Sequence, residues 1–149
     1  MDQALHEDTR LVIRRTYGAP VARVWDAWTK PEEMKQWLGY ADAPRAPEIT
    51  TELRVGGRYR IVMYTAQGET NRVGGAYREI LPQRKLVYTW AWESTPERES
   101  LVTVEFHAKD GGTEILLTHE RFFDRDARDR HGLGWGGALD RLTGLLTQS

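Results

Sequence analysis

The sequence predicts an α+β domain in two layers, an antiparallel sheet with one apolar face and a long C-terminal helix to cover it. Three observations carry this. Between Asp124 and Leu146, the residues Ala127, His131, Trp135, Ala138, Leu142 and Leu145 recur at steps of four and three, one continuous stripe along a helix. Ahead of it, six strand-like segments follow one another at short intervals between Ile49 and Arg121, as in a meander. Within them, Tyr59, Ile61 and Met63 alternate with Arg58 and Arg60, and Val102, Val104 and Phe106 with Thr103, Glu105 and His107, so one side is apolar and the other polar.

Taken in order, Leu11 to Tyr17 reads as a first strand, rich in β-branched residues and stopped by Gly18. Pro20 suits the first turn of a helix that sets Val21, Val24, Trp25 and Trp28 at i, i+3, i+4 and i+7. A second short helix follows Pro31, carries Met34, Trp37 and Leu38 on one side and stops at Gly39. Both are too brief to fold alone and are expected to plug one end of the sheet. The meander then runs through Ile49 to Val55, Arg58 to Thr65, Thr70 to Leu81, Lys85 to Glu93, Ser100 to Lys109 and Thr113 to Arg121. Asp110-Gly111 between the last two is a strong tight-hairpin signal. Leu86, Tyr88, Trp90 and Trp92 fall on one face, as do Ile115, Leu117 and His119. Asp124 can cap the final helix, with Asp126 adding negative charge to its first turn. That helix forms a rod of about 34 Å, long enough to cross a small domain.

Its glycines need a reason. Gly132, Gly134, Gly136 and Gly137 each cost a helix interior about 1 kcal/mol relative to alanine. They are read as places where backbone approaches something closely, or where side chains are cleared from a space beneath Trp135, the bulky residue left among them. The alternative is a kinked terminal helix. Gly132, Gly134 and Gly137 also match G-x-G-x-x-G, but no strand feeds them and no acidic residue follows at the spacing a dinucleotide site requires, so that reading is rejected.

The 149 residues fit a single domain, 1–149, with an ordered core expected from about residue 8 to 147. Lys+Arg 21 against Asp+Glu 22 gives a net charge of -1, which provides no field for nucleic acid or an anionic membrane. Cysteine is absent, removing disulfides, thiolate nucleophiles and thiolate metal sites together. Met1 to Arg10 is polar and acidic and shows no signal peptide, and no run approaches about 20 apolar residues. The expected location is the cytoplasm. Six Trp and six Tyr are the compositional excess, most of them expected in the core.

The motifs Ala19-Pro20, Val24-Trp25-Asp26-Ala27-Trp28-Thr29, Pro31-Glu32, Trp37-Leu38-Gly39, Arg54-Val55-Gly56-Gly57-Arg58-Tyr59, Leu86-Val87-Tyr88-Thr89-Trp90, Gly112-Thr113, Thr118-His119-Glu120, and His131 with Gly134-Trp135 occur in one order from about Leu11 to Leu146. In this the chain resembles the prokaryotic, single-domain branch of the family named after the activator of the ninety-kilodalton heat-shock chaperone's ATPase, within the START-like (SRPBCC) superfamily. The resemblance implies a helix-grip fold, a curved antiparallel sheet wrapped around the C-terminal helix with a cavity between them. It also implies a hydrophobic ligand, of the lipid or polyketide kind, as the partner. A chaperone in a stress response, a second copy of the chain, and cyclase- or hydrolase-type catalysis are the alternatives it leaves open.

The expected cavity is lined by Trp37, Tyr59, Met63, Trp90, Trp135 and Leu139, with His119 and His131 as polar handles. The same apolar faces add Ile61, Tyr88, Phe106 and Leu117. For His119 the plainer reading is a core histidine satisfied by a neighbouring carbonyl or hydroxyl; for His131, an exposed helix residue. Catalytic residues are not assigned: His119, His131, Tyr59 and Tyr88 are the inward-facing acid–base groups, and the serines Ser94 and Ser100 sit by a loop without a nucleophile elbow. His107, His119 and His131 lack metal-site spacing, and neither metal nor cofactor is expected. Arg54, Arg58 and Arg60 are read as a solvated face balanced by Glu48 and Glu52 rather than a phosphate strip.

Overall fold

In chain order the computed structural model holds β1 (Leu11–Tyr17), α1 (Val21–Thr29), α2 (Pro31–Met34), β2 (Glu48–Thr51), β3 (Arg58–Tyr64), β4 (Thr70–Leu81), β5 (Lys85–Trp92), β6 (Ser100–Lys109), β7 (Gly112–Glu120) and α3 (Arg125–Thr147). It describes residues 9–147; the polar stretch at residues 1–8 and the last two residues lie outside them. The seven strands form one antiparallel sheet in the order β1-β7-β6-β5-β4-β3-β2. Strands β2 to β7 are therefore the expected meander, and β1 closes against its last strand, Leu11 opposite His119 and Tyr17 opposite Thr113.

Alternation and helical period sort the faces as expected. Val102, Val104 and Phe106 are buried while His107 is exposed. On α3, Ala127, Trp135, Ala138, Leu142 and Leu145 are buried, with His131 half-buried on the same stripe. Asp124 caps the helix, its Oδ1 accepting from Ala127 N at 2.8 Å. The Asp110-Gly111 hairpin has both residues at positive φ, 51° and 81°, the pairing that a type I′ turn requires.

Two boundaries differ from the sequence expectation by more than one residue. β2 stops at Thr51 instead of Val55, because the next backbone groups are used elsewhere. Arg54 N and Gly57 N close local turns, while Gly56 N and Gly57 O bond to Tyr77 of β4 at 2.9 Å each. Similarly, α2 is a single turn ending at Met34, and Trp37 and Leu38 follow it in turns that both close on Met34 O. The two short helices do plug the sheet: Trp25 and Trp28 of α1 meet Phe106 edge-on at 5.1 and 6.4 Å, and Trp37 packs on Trp28 at 4.7 Å.

Neighbouring strands come unusually close at Gly74-Gly75 in β4. A Cβ at Gly74 would lie 2.6 Å from Tyr59 O of β3, and one at Gly75 would lie 2.1 Å from Thr89 O of β5. These two bare positions let β3, β4 and β5 bend around the helix. We expect Gly75→Ala to destabilise the fold by about 2 kcal/mol or more, since backbone must move to admit it. Gly134→Ala, where nothing lies within 4 Å of the added carbon, should stabilise by up to about 1 kcal/mol. Urea denaturation of the two variants beside the parent checks both signs.

Candidate functional site

Trp135 points inward from α3 and is 5% exposed. It does not stand alone, as expected, but stacks on Trp28 at 5.8 Å and leans on Trp90 of β5 at 5.6 Å. Together these indoles form a wall across the space between sheet and helix. On the inner side, Tyr59, Ile61, Tyr77, Leu86 and Tyr88 close around a void of about 20 Å³, room for about one water. On the outer side lies a cavity of about 380 Å³.

That cavity draws its lining from segments far apart in sequence. Helix α3 supplies Ala127, Arg130, His131, Gly134, Trp135 and Ala138, and the segment just before it Phe122 and Phe123. Leu38, Gly39 and Tyr40 come from the turn after α2, Met63 from β3, and Trp90 and Trp92 from β5. Thr95 and Arg98 of the following loop, with Ser100 at the start of β6, complete it. Arg141 holds the α2 turn in place, its guanidinium donating to Trp37 O at 3.1 Å and also to Gly39 O.

The residues singled out from sequence divide among three places. Met63, Trp90, His131 and Trp135 border the large cavity, while Tyr59, Ile61 and Tyr88 border the inner void. Trp37, Phe106, Leu117 and Leu139 border neither, being packed into the closed half of the core. Trp37 donates its indole N–H to Ala27 O at 2.8 Å; Phe106 lies under Trp25 and Trp28. Leu117 is sealed between Ile13 and Val104 on the flanking strands, and Leu139 is fully buried on α3. His119 sits behind Trp135. Of the four clustered glycines, Gly134 borders the cavity, whereas Gly132 gives space to Leu11 of β1, whose Cδ1 would be 3.5 Å from an added Cβ.

The two histidines organise the wall. Trp135 Nε1 donates to His119 Nδ1 at 3.0 Å, so that nitrogen is bare and the ring proton sits on Nε2. Nε2 then donates to Ser100 Oγ at 2.7 Å, and Ser100 Oγ donates to Trp90 O at 3.0 Å. His131 takes the opposite tautomer. Its Nδ1 donates to Ala127 O, one turn back, at 2.7 Å, leaving Nε2 to accept from Trp92 Nε1 at 3.0 Å and Trp90 Nε1 at 3.3 Å. Ser100 opens β6 at the edge of the loop, as the sequence placed it, and is buried and tied to His119. In the arginine strip Arg54 pairs with Glu52 at 3.4 Å as expected, but Arg60 pairs with Glu93 at 2.7 Å, because Glu48 is taken by Arg45 at 3.1 Å.

Burial holds His119 well below the usual imidazole range, and His131 beside it pushes the same way. His131 is also lowered by burial, against the Ala127 carbonyl that favours its protonation, with the Arg130 charge lowering it further. Both rings are therefore neutral near pH 7. No helix among the described residues is long and apolar enough to cross a membrane.

A curved antiparallel sheet gripping a long C-terminal helix, with two short helices after the first strand, is the helix-grip architecture. The chain belongs to the family described as Activator of Hsp90 ATPase homolog 1-like protein, whose profile matches residues 18–147. Among solved structures, protein CV1439 from Chromobacterium violaceum shares the fold with a TM-score of 0.83 at 22% identity, over 95% of this chain and 99% of that one. A Rhizobium leguminosarum protein is 31% identical, with a TM-score of 0.78 over 94% of this chain and 95% of its own. CalU16 from Micromonospora echinospora is 28% identical, with a TM-score of 0.71 over 93% of this chain and 76% of its own. No curated protein sequence matches the chain.

A second proton on either ring would set a donor against an indole N–H. Because both folded-state affinities for protons lie below that of the unfolded imidazole, the unfolded state takes up more protons as pH falls. The stability these rings contribute is complete above about pH 6.5 and is lost below it, with a slope of up to about 1.4 kcal/mol per pH unit for each ring. Glu93, lowered by its hydrogen bond from Arg60, makes its loss only further down, below the usual carboxylate range. Urea midpoints should fall between pH 6.5 and 5. In the variant His119→Asn with His131→Gln, the midpoint should be lower at pH 7.5 but flat across that window.

Proposed function

We propose that the protein binds an apolar or aromatic small molecule in the cavity between α3 and the outer end of the sheet. The cavity itself carries the reading. At about 380 Å³ it lies within the span of about 300 to 1,000 Å³ typical of small-molecule sites. It is also lined by five indole or phenyl rings, from Trp90, Trp92, Phe122, Phe123 and Trp135, beside a few polar groups. Interiors are close-packed by default, so a space this large under an aromatic wall is a feature that folding alone does not demand. The wall is held in one arrangement by the two histidines, so the site exists before a ligand arrives and its ordering cost falls on the fold.

Membership of the family agrees with ligand binding without naming the ligand. Hydrolysis is the weaker reading on a specific observation: the proton of His119 faces Ser100, so the ring cannot take a proton from that hydroxyl.

The test is a titration with N-phenyl-1-naphthylamine, a neutral fluorescent lipophile, against the parent and Gly134→Phe. The new ring would project from the cavity edge, where nothing lies within 4 Å of an added Cβ, so the variant should fold normally by circular dichroism. Saturable binding by the parent and a loss of at least about tenfold in the variant are expected. No saturable binding by the parent defeats the reading.

A further inference from the structure

Among the described residues the charges on the cavity wall are of one sign. The charged side chains there are Arg98, from the loop between β5 and β6, and Arg130, from the first turns of α3, and no described Asp or Glu borders the space. A protein with slightly more acidic than basic residues would on average mix the two. The histidine in the lining is neutral and gives its acceptor nitrogen to two indoles, so it adds no negative charge either.

Among the described residues neither guanidinium is held in a close ion pair. Arg98 sits over Phe123, its Cζ 3.8 Å from the ring centroid. Its Nε is 4.0 Å from Glu97, the outer limit of an ion pair between two exposed groups. Arg130 is exposed and makes no ion pair or side-chain hydrogen bond among those found in the described residues, while its neighbour Arg128 is the one that pairs with Asp129, at 2.9 Å. Deeper in, the wall turns apolar: Met63, Trp90, Phe122, Trp135 and Ala138. Both charges thus sit at solvent-exposed residues, and apart from Ser100 the buried lining residues are apolar or aromatic.

Resting on the reading of this space as a ligand site, we infer that its ligand is an amphiphile with a single anionic headgroup, carboxylate or phosphate, held by Arg98 and Arg130 while its apolar body lies against Trp90 and Trp135. Two forked guanidinium groups suit the oxygens of such a head, and hydrogen bonds to charged groups are the stronger kind. A cation would meet two like charges at the mouth. A neutral lipophile would fill the apolar part and leave the arginines in water.

Four probes sharing one chain length read this out by isothermal calorimetry: decanoate, decyl phosphate, decan-1-ol and decyltrimethylammonium, each against the parent and against Arg98→Gln with Arg130→Gln. Both substituted residues are exposed, and neither belongs to the histidine–indole wall, so the double variant should keep the parent's unfolding midpoint. At least one anionic probe should bind the parent about tenfold more tightly than decan-1-ol, with the ammonium probe weakest. That preference should collapse in the double variant and weaken between 50 and 500 mM salt. Equal affinities for acid, phosphate and alcohol in the parent overturn the anionic head, as does a preference that survives the double substitution. In either case binding of N-phenyl-1-naphthylamine leaves the cavity reading standing. If neither that probe nor any decyl compound binds, both fall.

Discussion

Three indole N–H groups around an apolar seam find acceptors in two histidines, whereas that of Trp28, stacked on Trp135, is buried without one among the described residues. An indole nitrogen can only donate, and leaving one buried without a partner costs about 1–3 kcal/mol. Trp90, Trp92 and Trp135 all lie where the sheet meets α3, and all three donate to His119 or His131. Only a neutral imidazole offers the bare nitrogen this needs. Each ring gains its orientation from the other nitrogen, His119 through Ser100 and His131 through the carbonyl of Ala127. Sheet, helix and wall are thereby held in a single relation, and the cavity is the volume left outside that wall.

The same arrangement explains why the seam is filled at one end and open at the other. Helix α1 lays Trp25 and Trp28 over β6, and Trp37 closes behind them, so the sheet face there is covered twice. Among the described residues no short helix lines the open end. There the cover consists of turn and loop residues, Leu38 to Tyr40 and Thr95 to Arg98, which bridge the space without filling it. The absence of a side chain at Gly134 keeps the helix from filling it in their place.

Periodicity exposed the faces in the sequence, and with them nearly all of the architecture, because period 2 and period 3.6 are local properties of the chain. Depth was not legible in the same way. Phe106 and Tyr59 share an apolar face with equal claims from alternation, yet one lies under α1 and the other at the inner void. That difference depends on where α1 crosses the sheet, which no strand's own pattern contains. For the same reason Phe122, Phe123 and Arg98 escaped notice: they lie in connections without periodicity and gain meaning only from what lies opposite them. Adjacent aromatics at 122 and 123, immediately before a capped helix, were the one local signal available. Trp37 went the other way, its size marking it for a cavity when the Ala27 carbonyl had already fixed it in the core.

The pair formed by Ser100 and His119 shows how far distance alone can mislead. At 2.7 Å, buried and beside a cavity, it has the spacing of a nucleophile and its base. For the serine to be activated, Nε2 must be bare and Nδ1 must carry a proton toward an acceptor such as a carboxylate. Here the group facing Nδ1 is an indole N–H, which can only give a proton to the ring's lone pair. That single substitution of donor for acceptor moves the ring proton to Nε2 and reverses the direction of the Ser100 bond. The serine passes its own proton to the Trp90 carbonyl, toward the strand and not toward the cavity. A histidine held this way steadies the aromatic wall; turning it into a base would require displacing Trp135, and with it the wall that bounds the site.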